Sequence, residues 1–211
     1  MNTRHPVTIV TKSSLLLRDL DLLTDLAADG LVGVLLSITG LDPELSRRME
    51  PRAVSPRRRL QAMQRLSAAG VPSGVLFSPV IPGLNEADME QVLEAAAAAG
   101  AERANMILLR LPREIEELFA EWLMPHSPER ASKVLSLIRQ CHAGRLYHAA
   151  FKDRMRGAGP VADMLHQRFE LCVRQLGLEA PRETWDLRCD MFTPPGGSQL
   201  SLDLQGRHQP F

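Results

Sequence analysis

The sequence has little with which to build a covalent framework. It carries three cysteines in 211 residues, Cys141, Cys172 and Cys189, odd in number and tens of residues apart. That usage excludes a disulfide-stapled secreted fold. Neither charge is in excess, 25 basic side chains facing 25 acidic ones. Such balance argues against holding nucleic acid by bulk electrostatics and leaves only a local basic face for it. No apolar run approaches the roughly 20 residues that cross a bilayer. The opening Met1-Asn2-Thr3-Arg4-His5-Pro6 lacks the apolar core of a secretory signal. A cytoplasmic protein with no membrane partner is expected. Aromatic residues are scarce at 4%, and Trp122 and Trp185 read as packing residues rather than stacking platforms for bases.

What is present is a globular complement of 45% hydrophobic residues, arranged in alternating periods. Residues 6–11 form a β-branched run without polar alternation, as expected of a strand buried on both faces. Leucines at helical spacing follow from Leu16 to Ala28, before Gly30. Leu31 to Thr39 is a second buried strand. Ser55-Pro56 reads as N-cap and first residue of a helix through Ala69, which stops at Gly70. Val71 to Ile81 is a third strand, Glu86 to Ala99 a helix closed by Gly100, and Arg103 to Leu109 a fourth strand. Strand-helix alternation of this kind predicts a parallel sheet. Beyond Pro112 the pattern is helical, over 113–123, 128–141 and 160–176. The tail from Pro194, rich in Gly, Pro, Gln and Ser, is expected to be flexible.

In parallel α/β folds the chemistry sits at the carboxyl ends of the strands. Those ends carry Thr11-Lys12-Ser13, Ser37 to Asp42, Ser78 to Gly83, and Arg110. Lys12 and Arg110 suit a carboxylate or phosphate, and the hydroxyls suit a ribose or carboxylate. The competing interpretation has Thr11, Ser37 and Thr39 merely capping strand ends and helix starts. No nucleophile–base pair is evident. Arg57-Arg58-Arg59 with Arg47, Arg48 and Arg52 forms a basic cluster, read as a mostly solvated face with phosphate contact as its functional alternative. Cys141, His142, His148 and His166 fit no common structural zinc spacing. Four βα units are too few for a closed eight-unit barrel of about 250 residues. Either the sheet is open, or it is the later part of a barrel whose first units are missing.

The strings PVTIVTKS (6–13), SITGLDPELSRRMEPRAVSPRRRL (37–60), SPVIPGLNE (78–86), ILLRLP (107–112) and VLSLIRQ (134–140) resemble radical S-adenosylmethionine proteins, the spore-photoproduct-lyase-like DNA-repair group among them. The resemblance covers about residues 6–178. It implies an α/β fold, a partial (β/α) barrel of which residues 6–110 are strands three to six. A helical C-terminal region follows, giving expected divisions at 1–112, 113–193 and 194–211. It implies S-adenosyl-L-methionine and a 4Fe-4S cluster as cofactors and a nucleic-acid lesion as substrate. Ile81, Gly83 and Glu86 match positions that seat the cofactor's adenine. Ser37 and Thr39 match polar positions near its ribose and carboxylate, and Lys12 and Arg52 match basic residues near the methionyl carboxylate.

Two departures accompany the resemblance. The C-x₃-C-x₂-C loop that holds the cluster is absent, and Cys141, Cys172 and Cys189 cannot form it. The chain is therefore expected to be the downstream portion of a longer protein, missing the N-terminal barrel portion and inactive alone. Gly40, second, is expected to widen the rim beside Thr39. The second functional interpretation is a non-catalytic α/β remnant or binding module. In the tail, Gln199 with Leu200, Leu202 and Leu204 resembles the short peptide by which bacterial repair and replication proteins bind the sliding clamp. Alternate leucines put their side chains on one side of an extended segment. A final edge strand is the competing interpretation.

Overall fold

The computed structural model describes residues 3–147, 154–178 and 186–194. Four strands, β1 (Val7–Thr11), β2 (Val32–Ser37), β3 (Ser73–Val80) and β4 (Arg103–Leu108), form one sheet in the order β1-β2-β3-β4. All neighbours are parallel, with Val7 opposite Val32, Val34 opposite Ser73 and Gly74 opposite Arg103. This is an α/β fold whose strands follow one another as in the wall of a partial barrel, with a helical region after them. Among the described residues no helix is long and apolar enough to cross a membrane.

The connections are helical: α1 (Leu20–Ala28), preceded by a 3₁₀ turn over Leu15–Asp19; α2 (Pro43–Met49) and α3 (Pro56–Ala68); and α4 (Met89–Ala98). The Ser55 hydroxyl caps α3 by accepting from the Arg58 amide at 3.4 Å, with Pro56 at the first position, as its sequence predicts. The short α2 escaped the sequence analysis although it opens on the same signal. Asp42 Oδ1 accepts from the Glu44 amide at 2.8 Å and Pro43 occupies the first turn.

Alternation across the strands sends Val34, Leu36, Val75, Phe77, Met106 and Leu108 into one core against the helices. The opposite face carries the intervening residues of β2, β3 and β4. A Cβ at Gly74 would stand 2.6 Å from the Arg103 carbonyl oxygen, which explains a glycine inside β3. β1 departs from expectation. Val7 is 38% exposed and Val10 57%, not buried on both faces, because β1 is the terminal strand of the sheet. An unbroken β-branched run reports strand propensity, and only neighbours confer burial.

The remaining helices, α5 (Ile115–His126), α6 (Pro128–Cys141) and α7 (Pro160–Gln175), serve two cores. Residues of α5 and α6 gather with Ile81 and Leu111 in a second apolar cluster at the carboxyl end of the sheet. The α7 helix joins the first core through Leu165, Phe169 and Val173. Arg168 pins it to α4 with a two-pronged bond to Glu90, Nε at 3.0 Å and Nη2 at 2.8 Å. The segment before α7 borders β4, whose Leu108 amide donates to the Met155 carbonyl at 3.0 Å. His166 on α7 donates from Nε2 to the Arg156 carbonyl at 2.8 Å.

Burial holds His166 below the ordinary histidine range, outweighing its hydrogen bond to Arg156 and the carboxylates of Glu170 and Asp163. A histidine in the unfolded chain takes up its proton near pH 6.5, and folded His166 does so only at lower pH. Its contribution to stability is therefore complete above about pH 6.5 and is lost as the pH falls through the folded value. We expect the unfolding free energy from urea titration to drop between about pH 7 and pH 5, by no more than about 1.4 kcal/mol per pH unit from this group. His166→Gln, which keeps a donor, should flatten that slope; an unchanged slope would assign it elsewhere.

Candidate cofactor-binding site

The carboxyl rim is organised from beneath by a buried charge. Arg59, on α3, is fully buried. Its Nη1 donates to the Ser37 carbonyl at the end of β2 (2.8 Å), its Nε to the Val54 carbonyl (2.8 Å), and its Nη2 to Glu50 Oε2 (2.5 Å). The other Glu50 oxygen accepts from Lys12 Nζ. A charge so placed is tolerable only because each donor group is matched. The expected, mostly solvated basic face is thus corrected at one residue. Arg47, Arg48, Arg52, Arg57 and Arg58 are exposed, and Arg59 is the exception. Its signal lay in the helical period, since Arg59 falls on the same face as Pro56, Ala62, Met63 and Leu66.

Lys12 and Arg52 meet at a cleft of about 300 Å³ whose walls also include Thr11, Ser13 and Val54. Two cations and two hydroxyl side chains at one mouth suit a small anion such as a carboxylate. Arg59 links this cleft to the seam between β2 and β3, since it holds both the Val54 carbonyl of its wall and the Ser37 carbonyl. The Ser37 hydroxyl donates to the Ser78 carbonyl at 3.0 Å, and Ser37 and Thr39 are both buried. Asn85, which the sequence analysis missed, ties the seam together. Its Nδ2 donates to the carbonyls of Thr39 (2.6 Å) and Pro79 (2.9 Å), while its Oδ1 accepts from the Ile81 amide (2.7 Å). An asparagine two residues after a turn glycine was the available signal.

The expected adenine positions lie further along this loop. Ile81 is buried in the second apolar cluster. Gly83 has φ +83°, and a Cβ there would press within 3.2 Å of Val134 and Leu137 on α6. Its glycine identity is thus accounted for by backbone conformation and helix packing. Glu86 is half-buried at the start of a 3₁₀ turn, its carbonyl accepting from Arg168 Nη2 at 3.3 Å. The room beside Gly40 is not open, contrary to the expected widening. Asp88 Oδ2 stands 2.7 Å from where a Cβ would be. Burial raises the Asp88 carboxyl above the usual carboxylate range, against a hydrogen bond from Leu41 and with Asp42 and Glu86 nearby. At Arg110, the Nε is buried and has no hydrogen-bond partner among the described residues.

The cysteines do not converge. Cys141 and Cys172 are buried and Cys189 is exposed. His142 and His166 spend their Nε2 donors on carbonyls, those of Leu109 and Arg156. Among the described residues no three His, Cys, Asp or Glu side chains are placed to hold a metal. The donors in this sequence therefore do not fit a 4Fe-4S cluster, and no chemical step is derived through one. The tail residues Gln199, Leu200, Leu202 and Leu204 lie outside the described residues, as do His148 and Trp185.

Comparison with known proteins places these features in context. Residues 2–96 match the family model described as the radical SAM superfamily. An uncharacterized protein of Mycobacterium tuberculosis is 35% identical over 137 residues, which are 64% of this chain and 40% of that protein. An uncharacterized protein of Methanocaldococcus jannaschii is 31% identical over 93 residues, 44% of this chain and 34% of its own. One from Acidianus two-tailed virus is 29% identical over 100 residues, covering 45% and 33%. The chain thus spans well under half the length of these relatives.

Thiol chemistry gives a direct check on the cysteine placement. Burial pushes the Cys141 thiol up to about 11. It also raises Cys172, assisted by Glu90 and Glu94. Thiolates being the reactive form, native protein near pH 8 should alkylate rapidly with iodoacetamide at Cys189 alone, and at all three cysteines in urea. Mass spectrometry of the products tests this, and fast native labelling of Cys141 would contradict its burial.

Proposed function

Taking the radical SAM superfamily match of residues 2–96 as premise, we propose that this chain forms the cofactor-holding part of a radical SAM protein. S-adenosylmethionine would lie along the carboxyl rim. The observation that carries this reading is the cleft where Lys12 and Arg52 meet, tied through Arg59 to the Ser37–Ser78 seam. In it, Lys12 and Arg52 bind the methionyl carboxylate, Ser37 and Thr39 lie toward carboxylate and ribose, and Ile81, Gly83 and Glu86 line the adenine end. These residues bind and orient. Superfamily chemistry also needs a three-cysteine cluster loop, which this sequence does not supply, so the reading requires a companion portion that carries it. The substrate class in this proposal is a nucleic-acid lesion, supported by the resemblance of the motifs and by the exposed arginines at 47, 48, 52, 57 and 58.

Equilibrium dialysis against labelled S-adenosylmethionine tests the reading. We expect one saturable site, weakened at least about tenfold by Lys12→Ala combined with Arg52→Ala, the loss typical of a charge-assisted contact. Failure of folded protein to bind saturably would overturn it. The partner proposal for the tail has its own test. Full-length chain should bind purified bacterial sliding clamp weakly, near micromolar or above, as short segments carry an ordering cost. Gln199→Ala with Leu202→Ala should abolish that binding; an undiminished signal would remove the clamp from the proposal.

A further inference from the structure

The Arg59–Glu50–Lys12 chain has a direction. Arg59 is fully buried, the Glu50 side chain is 10% exposed and the Lys12 side chain 38% exposed. Charge is thus handed from the core to the cleft mouth in two steps. Within the chain, Arg59 neutralises Glu50 through Oε2 and Lys12 rests on Oε1. Buried Arg59 and Glu50 form a neutral pair, so Lys12 is the surplus cation. Its ammonium has three N–H donors. Among the described residues Glu50 is its hydrogen-bond partner, which leaves two donors for a ligand. Arg59 also grips the carbonyl of Val54, itself part of the cleft wall. One buried side chain therefore fixes both the wall and the anchor of the cation that faces it. A lysine side chain left free would have to lose rotamer entropy on binding, and the anchor reduces that loss beforehand.

We propose that Glu50, held by Arg59, is a positioning residue that aims Lys12 into the cleft to receive a ligand carboxylate. This rests on the cofactor reading above for the identity of the ligand, but the anchoring itself does not. Glu50 touches no ligand in this arrangement. It acts through Lys12.

The sequence contains three lysines, Lys12, Lys133 and Lys152, so an ammonium-selective ¹⁵N spectrum of the full chain is simple, and Lys12→Met assigns the signal. In the wild type we expect a Lys12 ammonium resonance protected by its ion pair. S-adenosylmethionine should shift it, while 5′-methylthioadenosine, which lacks the carboxylate, should not. Glu50→Gln keeps an oxygen for Arg59 but releases Lys12. It should lose the protected resonance and weaken S-adenosylmethionine binding about five- to tenfold, roughly one hydrogen bond's worth. Methylthioadenosine affinity should stay unchanged. Arg59→Lys, which keeps the charge but loses the fork, should give an intermediate loss and covers the case in which Glu50→Gln does not fold. Unchanged or tighter S-adenosylmethionine binding in folded Glu50→Gln would overturn the positioning role, as would a Lys12 resonance identical to wild type. If the nucleoside does not bind wild-type protein at all, the cofactor reading fails, and the Lys12 resonance alone decides the anchoring.

Discussion

A guanidinium taken out of water has to be surrounded by acceptors, and that single requirement shapes the rim of this protein. Arg59 finds three acceptors on three segments: the end of β2, the connection between α2 and α3, and Glu50 at the close of α2. Removing any one of them leaves a buried donor unmatched, at a cost of about 1–3 kcal/mol. The strand end, the loop and the acidic residue are therefore held to one arrangement together. The polar rim is as constrained as an apolar core, by directional bonds instead of packing.

The rest of the rim follows the same logic in neutral form. Asn85 gives both of its amide donor directions to carbonyls, that of Thr39 just past β2 and that of Pro79 in β3, and accepts from Ile81. Ser37 donates to Ser78 across the same seam. Backbone groups at strand ends, which lose their ladder partners where the sheet stops, are satisfied by side chains. The mouth is left to the cations. Lys12 and Arg52 stand where the fold does not need all of their hydrogen bonds, which is what a binding surface requires.

Much of this architecture was legible from local signals. Apolar runs marked β2, β3 and β4, and the Ser55-Pro56 start marked α3, because caps and buried strands depend on a few adjacent residues. Three features were not legible, for distinct physical reasons. The run at 6–11 predicted a strand correctly, but its apolar pattern taken alone pointed to burial on both faces, whereas Val10 is open for want of a neighbour that no local pattern encodes. Arg59 sat within a run of three arginines whose shared charge hid the helical phase that separates it from Arg57 and Arg58. Glu50 acquires its place only because Arg59 and Lys12, 9 and 38 residues away, converge on it, and no spacing rule anticipates that. Of the expected binding residues, Lys12 and Arg52 share a cleft, whereas Ile81 and Gly83 have packing duties that would conserve their character with or without a ligand.

The sequential strand order bears on how the chain reaches this state. Each of β2, β3 and β4 pairs with the strand immediately before it, so every closure spans one helical crossover and no strand waits for a distant partner. Such a sheet can grow in the direction of synthesis, one βα unit at a time, with modest loop-closure entropy at each step. The segment that meets β4 through Met155 and the helix α7 behind it are made only after all four strands. Until they are, the β4 edge and the apolar faces of α4 are open to other chains. Residues 155–175 thus act as the cover for what the first half of the sequence has already built, and a pause or break before them would expose a nearly finished sheet rather than an unfolded chain.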